Sequence, residues 1–424
     1  MNSKSHCPYR QTKNLQDALT SDKSRVAFLL GAGCPVSIRM KDGFFCADAS
    51  ATDTTALIPD IAGLTNLVKI KLKGDDKFKA SFEAVLTRLG GDAADNKITI
   101  EDILSHIRSL QGVIREGSID GLNKVSLEAL DTAICDFTTE VVNVPLPQAR
   151  TAYHQLATWI GGVPRANAVE LFTPNYDLLL EQGLEAGKIP YFDGFVGSKQ
   201  AFFDLTSMEA EDENSLPDRW ARLWKVHGSV NWWQVAVDKQ HKEAADKEKE
   251  EFEVVRGEKP ANAVQQMIYP SHLKYDQSRR MPYLAMLDRL RSFLGRGQAV
   301  VVTCGYSFLD QHLNEVILQG LRSNPTAMCF GLLHSKKSDY PIAVEKAKRH
   351  QNLSLLARDG AVRGTFEKDW HSDERDGDPL NGLSVKKSAT GNCEFVLGDF
   401  KKLGEFLATQ LSRSDDDRSS KDAA

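Results

Sequence analysis

Six short, predominantly apolar runs punctuate the chain, at residues 26–30, 169–173, 223–226, 299–304, 328–333 and 353–356. Runs of this length and character read as strands buried on both faces of a parallel sheet. The segments between them are helical or irregular in pattern. That alternation argues for an open α/β sheet.

The interval between the first two runs is long and reads mainly as helix. Ile103, Leu104, Ile107, Leu110 and Ile114 recur at helical spacing, and Thr99-x-x-Asp102 resembles a capping box ahead of them. Leu127, Leu130, Ile134 and Phe137 make a second such stripe. Residues 61–160 are therefore expected to be a mainly helical insertion packed on the sheet. Such a layer serves as plain scaffold, or as a lid or oligomer contact. Residues 236–262 are dense in Lys and Glu and read as an exposed charged insertion, and residues 412–424 as a disordered tail. One domain over residues 1–411 is the expected organisation.

Bulk properties narrow the field. Of 424 residues, 41% are hydrophobic and 26% charged, which is ordinary for a globular protein with a substantial core. A net charge of −5 gives no reason to expect an extended nucleic-acid-binding face, so no direct nucleic-acid binding is expected. No signal-peptide pattern opens the chain and no apolar stretch reaches the length of a membrane span, so a cytoplasmic location away from membranes is expected. The seven cysteines include no C-x-x-C pair, which speaks against a zinc ribbon. Their odd, scattered placement suits a reducing compartment. No Walker A pattern is present, so an ATPase motor is not expected.

Candidate chemistry clusters at the ends of the apolar runs. Gly31-Ala32-Gly33 follows the first, a turn that lets backbone N–H groups approach a pyrophosphate with a helix N-terminus behind it. Glycines there also satisfy steric needs alone. Ser37 offers a hydroxyl near such phosphates. Asp60, after Ile58-Pro59, could accept a hydrogen bond from a carboxamide, or could be a turn Asp. Thr173-Pro174-Asn175-Tyr176-Asp177 ends the second run, where Asn175 and Asp177 reach a ribose, orient a water, or cap a helix. His227, in Lys225-Val226-His227-Gly228-Ser229, can exchange a proton near neutral pH, or can be structural. Trp232-Trp233 reads as core or pocket wall. Cys304-Gly305-Tyr306-Ser307-Phe308 adds a second glycine turn with a hydroxyl. The i, i+2 steps between Asp310, His312 and Asn314 put successive members on different faces of a helix, so a metal site there is rejected.

Taken in order, these blocks resemble the sirtuin family, and more closely the bacterial sirtuin-like proteins of antiphage defence. The blocks are GAG after the first strand, T-x-N-x-D, H-G, and G-x-S after a late strand. The closing Leu397-Gly398-Asp399-Phe400 with Leu403 and Phe406 is similar to the end of such proteins. The resemblance implies a Rossmann-like parallel sheet that takes NAD as substrate. It implies that Gly31, Ala32 and Gly33 cradle the pyrophosphate, with Ser37 nearby, and that Asp60 sits near the nicotinamide carboxamide. Asn175 and Asp177, with Thr173 before them, match the polar residues beside the ribose. His227 matches the catalytic histidine, and Gly305 and Ser307 match the block that meets the adenosine half. Two departures bear on activity. The zinc ribbon of protein-deacylating sirtuins is missing, so no zinc is expected, and the usual G-I-P-D-F-R continuation is altered to Ile58-Pro59-Asp60-Ile61-Ala62-Gly63, farther from GAG.

Both departures favour water over acetyl-lysine as acceptor. The expected activity is NAD glycohydrolysis to nicotinamide and ADP-ribose, with Asn175 and His227 catalytic, depleting NAD in abortive infection. The resemblance further implies control by assembly: some relatives work with a hexameric HerA-type ATPase and others with Argonaute-like or fused sensor domains. For this chain a homo-oligomer and a separate partner, first of all a HerA-type ATPase, are expected. A non-catalytic NAD or ADP-ribose sensor and a protein deacylase are the alternatives.

Overall fold

The computed structural model describes residues 6–47, 51–90, 98–114, 117–209, 216–217, 219–236, 252–261, 263–267, 281–371, 382–387 and 392–421. Its centre is a nine-stranded sheet. In chain order its strands are β1 (Arg25–Leu30), β2 (Val169–Thr173), β3 (Tyr191–Phe192), β4 (Ala221–Lys225), β5 (Ala299–Cys304), β6 (Met328–Leu332), β7 (Leu353–Ala357), β8 (Gly360–Arg363) and β9 (Phe366–Asp369). Across the sheet they run β9-β8-β7-β6-β5-β1-β2-β4-β3. Every pairing from β7 to β3 is parallel, and β8 and β9 add an antiparallel edge. All six apolar runs are strands of the parallel part. This is the expected α/β, Rossmann-like sheet.

Alternation along β1 shows why the runs are apolar throughout. Val26, Phe28 and Leu30 face one core and Ala27 and Leu29 the other. The first core is closed by helices Ile61–Lys73, Asp76–Arg88, Ile100–Val113, Lys124–Val142 and Ala152–Gly162, the expected helical insertion, and by the end of the chain. The second is closed by helices Tyr283–Gly295 and Gln311–Ser323. Thr99 and Asp102 do form a capping box, and Ile103, Leu104, Ile107 and Leu110 are buried.

Helix Phe400–Lys421 packs on Ala152–Gly162 through a Tyr153–Phe400 edge contact at 5.0 Å and a Trp159 Nε1 bond to Gln410 Oε1 at 3.1 Å. Its backbone carries on through residues 412–421, where the sequence pattern led to an expectation of disorder. That stretch contains no Gly or Pro to stop a helix already nucleated upstream. Residues 422–424, and residues 237–251 of the charged insertion, lie outside the described residues. The rest of that insertion includes strand Phe252–Arg256, part of a separate five-stranded sheet. In that sheet Gly228–Ala236 lies between Val264–Met267 and Phe252–Arg256, followed by Ala201–Phe203 and Phe195–Val196. Trp232 is buried there, as core.

Candidate active site at the sheet's carboxyl edge

Strand order reverses at β1. The chain moves from β1 to β2 and β4 on one side, then returns to place β5 on the other. In open α/β sheets the crevice beyond the carboxyl ends at such a reversal is where ligands bind. The GAG turn leaves β1 at that point, and the Gly305 turn leaves β5 beside it.

The two turns interlock. Gly31 N donates to Cys304 O at 2.9 Å and Gly33 N to Gly305 O at 3.0 Å, continuing the β1–β5 pairing past the strands. A Cβ on Gly31 would lie 2.4 Å from Gly305 O, and one on Gly33 2.8 Å from Gly305 Cα. Gly305 has φ +64°, and its Cβ would meet Cys34 N at 2.6 Å. The glycines are therefore required by backbone-to-backbone contact between the turns. The amides of Gly31, Gly33 and Cys34 are committed within this knot, so the turn meets solvent through Ala32 and Gly33, both exposed. The helix expected to back the turn, Gly33–Val36, is only four residues long. The pull on a phosphate that a long helix N-terminus would supply is correspondingly reduced. Ser37 Oγ donates to Cys34 O at 2.7 Å.

The T-x-N-x-D loop leaves β2 against this knot. Thr173 Oγ1 donates to Leu30 O at 2.7 Å and accepts from Asn175 N at 3.0 Å. Asn175 Nδ2 donates to Gly31 O at 3.1 Å, which holds its carboxamide on the glycine turn. Thr173 is buried as a tie between strands. Asp177 also turns inward, accepting from Leu179 N at 3.0 Å at the start of helix Leu179–Ala186. Burial pushes its carboxyl up to about 6, against the opposing pull of Lys225. Lys225, itself buried, donates to Asp177 O and pairs with Glu181 at 3.2 Å.

His227 leaves β4 next door. Val226 N donates to Thr173 O at 3.0 Å and Val230 N to Tyr176 O at 3.1 Å, fastening the His227 loop to the Asn175 loop. Gly228, at φ +88°, turns the chain immediately afterwards. His227 is buried, and its Nε2 lies 3.3 Å from Asp310 Oδ2. Asp310 caps helix Gln311–Ser323 by accepting from Leu313 N at 3.1 Å. Its loop is braced by Tyr306, whose hydroxyl donates to Asn314 Oδ1 at 2.9 Å, and by Asn314 Nδ2, which donates to Phe308 O at 2.7 Å. Ser307 is half-buried in this loop. Leu309, 66% exposed, stands between Phe308 and Asp310.

Thus Gly31, Ala32, Gly33, Asn175 and Gly305 meet at one place, and His227 sits at the end of the next strand but one from β1. Thr173 and Asp177 support the loop from inside. Asp60 is exposed and caps helix Ile61–Lys73, accepting from Gly63 N at 2.8 Å. Its segment hangs on residues 38–41 through Leu57 N to Ile38 O and the pairing of Arg39 with Ala56. Asp310 was missed as a partner for His227, because residues from two strand ends far apart in sequence leave no spacing to read. Among the described residues no group of three or more His, Cys, Asp or Glu is placed to hold a metal ion. Among the same residues no helix is long and apolar enough to cross a membrane.

Residues 169–357 match the SIR2-like domain family. The match runs from β2 to β7 and takes in Thr173, Asn175, Asp177, His227, Gly305, Ser307 and Asp310, while the GAG turn, Ser37 and Asp60 precede it. No curated protein matches the chain. Over the matched stretch the chain is sirtuin-like, with the Rossmann-like architecture expected of that family. SIR2-like domains are NAD-dependent enzymes, and the match supports an enzyme with NAD-related activity.

Proposed function

We propose that the protein hydrolyses NAD to nicotinamide and ADP-ribose. The observation that carries this reading is the meeting of Asn175 with the Gly31 turn at the strand-order reversal, with His227 fastened beside it by the Val226–Thr173 bond. A dinucleotide laid across the crevice has its phosphates at the glycine turns and its reacting ribose over Asn175 and His227.

The chemistry asks little acid catalysis of the protein. The C–N bond breaks with its electron pair passing to the positively charged pyridinium nitrogen, so nicotinamide leaves neutral. The anomeric carbon passes through an oxocarbenium-like state, as in other glycoside cleavages. Water adds to that carbon and releases one proton. Asn175 orients the water and the ribose, and His227 holds a ribose hydroxyl or takes its proton, in which case the proton released by the added water restores that hydroxyl. Binding the remote phosphates fixes the reacting carbon, which is where binding energy assists rate. Asp60 remains the proposed partner of the nicotinamide carboxamide, and Gly305 and Ser307 of the adenosine half.

The biological reading follows from the toxicity of the reaction. We propose that NAD depletion serves antiphage defence and is held in check by assembly, as a homo-oligomer or with a HerA-type ATPase. Light scattering that returns a monomer with and without that ATPase would remove both forms of control. The enzymatic test is NAD consumption by the purified protein, alone and with the ATPase, with His227→Ala in parallel and products separated by chromatography. Nicotinamide and ADP-ribose, absent with the variant, are expected. Tight NAD binding without turnover under every condition would make the protein a sensor, and acetyl-peptide-dependent nicotinamide release would make it a deacylase.

A further inference from the structure

We propose that Asp310 is the positioning residue for His227, fixing its imidazole with Nε2 toward the carboxylate so that Nδ1 is the nitrogen offered to substrate. The assignment rests on the reading of His227 as the histidine that acts on the ribose. It starts from the 3.3 Å approach of Nε2 to Oδ2, between side chains that are 9% and 12% exposed. In so enclosed a place a carboxylate oxygen facing a ring nitrogen favours the tautomer that carries the N–H on that nitrogen, because the other tautomer would set two lone pairs against each other. The other carboxylate oxygen is already placed, since Oδ1 accepts from Leu313 N. One oxygen therefore caps a helix while the second faces the histidine, and the cap fixes the direction of the second.

The loop that carries Asp310 is built for that placement. The Tyr306 hydroxyl donates its one proton to Asn314 Oδ1 and lies 3.3 Å from Asp310 O, and Asn314 ties back to Phe308 O. Phe308 sits at φ +60°, a backbone state that an aromatic residue holds only where its surroundings impose it. Its ring is buried and lies 4.9 Å from that of Tyr306. Asp310 thus belongs to a rigid loop on β5, on the far side of β1 from the strand that carries His227. The contact closes the crevice at its histidine end with an oriented pair, in the manner of a base held by a third group.

Asp310→Asn keeps the helix cap, since Asn caps as well as Asp, and removes only the charge. Asp310→Ser keeps the cap and removes the reach, and serves if the first variant does not fold. Long-range 1H–15N spectra of histidine-labelled protein, with His227→Ala assigning the ring, report the tautomer without any need for turnover. The expected result is Nε2–H for wild type and loss of that preference in either variant. An unchanged His227 ring pattern in a folded variant overturns the proposal. Kinetics then adds a cycle: Asp310→Asn should lower kcat by about 10²-fold with little change in KM, and should cost nothing further when His227 is already alanine. Additive losses overturn the proposal as well. Wild-type protein that shows the Nε2–H tautomer but never cleaves NAD would remove the hydrolase reading and leave the pairing standing.

Discussion

Gly305→Ala tests the interlocked turns directly, and its cost can be built from two parts. The first is conformational. At φ +64° an L-residue pays roughly 1–2 kcal/mol that glycine does not. The second is steric. The new methyl would lie 2.6 Å from Cys34 N, 2.9 Å from Gly33 C and 2.9 Å from Cys34 Sγ. Two of those atoms are backbone and cannot rotate away, so the turns must part by several tenths of an ångström. Overpacking of this kind costs about 1–3 kcal/mol. Together the loss is about 2–5 kcal/mol. Gly364→Ala isolates the first part, because that glycine has φ +54° and nothing within 4 Å of where the methyl would go. Urea unfolding of both variants, followed by tryptophan fluorescence, gives the comparison. Gly305→Ala should be less stable than Gly364→Ala by at least about 1 kcal/mol, and should weaken NAD binding, which Gly364→Ala leaves alone. Equal stability for the two would refute the claim that the turns hold each other by contact.

Three further outcomes follow from the site. Asn175→Ala should lose most NAD turnover and about 1 kcal/mol of stability from its bond to Gly31 O, measured by steady-state assay and urea titration; full activity in a folded variant would remove it from the mechanism. Asp177 is held protonated more readily folded than unfolded, its carboxyl standing near 6 against an ordinary 3.8. The folded state therefore binds the extra proton between those values, and stability contributed by Asp177 is present at low pH and falls as pH rises through about 6. Asp177→Asn should flatten the pH dependence of the urea midpoint in that window, and an unchanged slope would contradict the assignment. Asp60→Asn keeps the cap on helix Ile61–Lys73 and Asp60→Ala loses it, at about 1 kcal/mol. Should Asp60 meet the carboxamide, both variants slow NAD cleavage, whereas a cap alone spares Asp60→Asn.

Six of the parallel strands were legible as predominantly apolar runs, as β1 shows by dividing Phe28 and Leu29 between two cores, whereas the short edge strand Tyr191–Phe192, only half-buried, left no such run. The capping box at Thr99 was legible because its chemistry is local. The five-stranded sheet was not, since its longest strand, Gly228–Ala236, begins inside the His227 motif and one of its two partners, Phe252–Arg256, comes from the charged insertion. Of the candidate site, the blocks that end strands were readable, and the division of labour within them was not. Nothing in T-x-N-x-D says that Thr173 and Asp177 face inward while Asn175 reaches Gly31. Nothing in GAG says that its glycines make room for another glycine. Asp310 stood out in sequence only through its spacing to His312 and Asn314, and its approach to His227 exists only once β4 and β5 occupy opposite sides of β1.

The knot between the glycine turns joins residues 270 positions apart, with Cys34 Sγ donating to Cys304 O across it. On the ribosome the first turn emerges early, but its counterpart must wait until most of the chain has been made. Pairings of such long range form late in folding. On the hydrolase reading, a growing chain that has already presented Asn175 and His227 still lacks the turn proposed to seat the dinucleotide, and an unfinished copy would stay inactive for that reason alone.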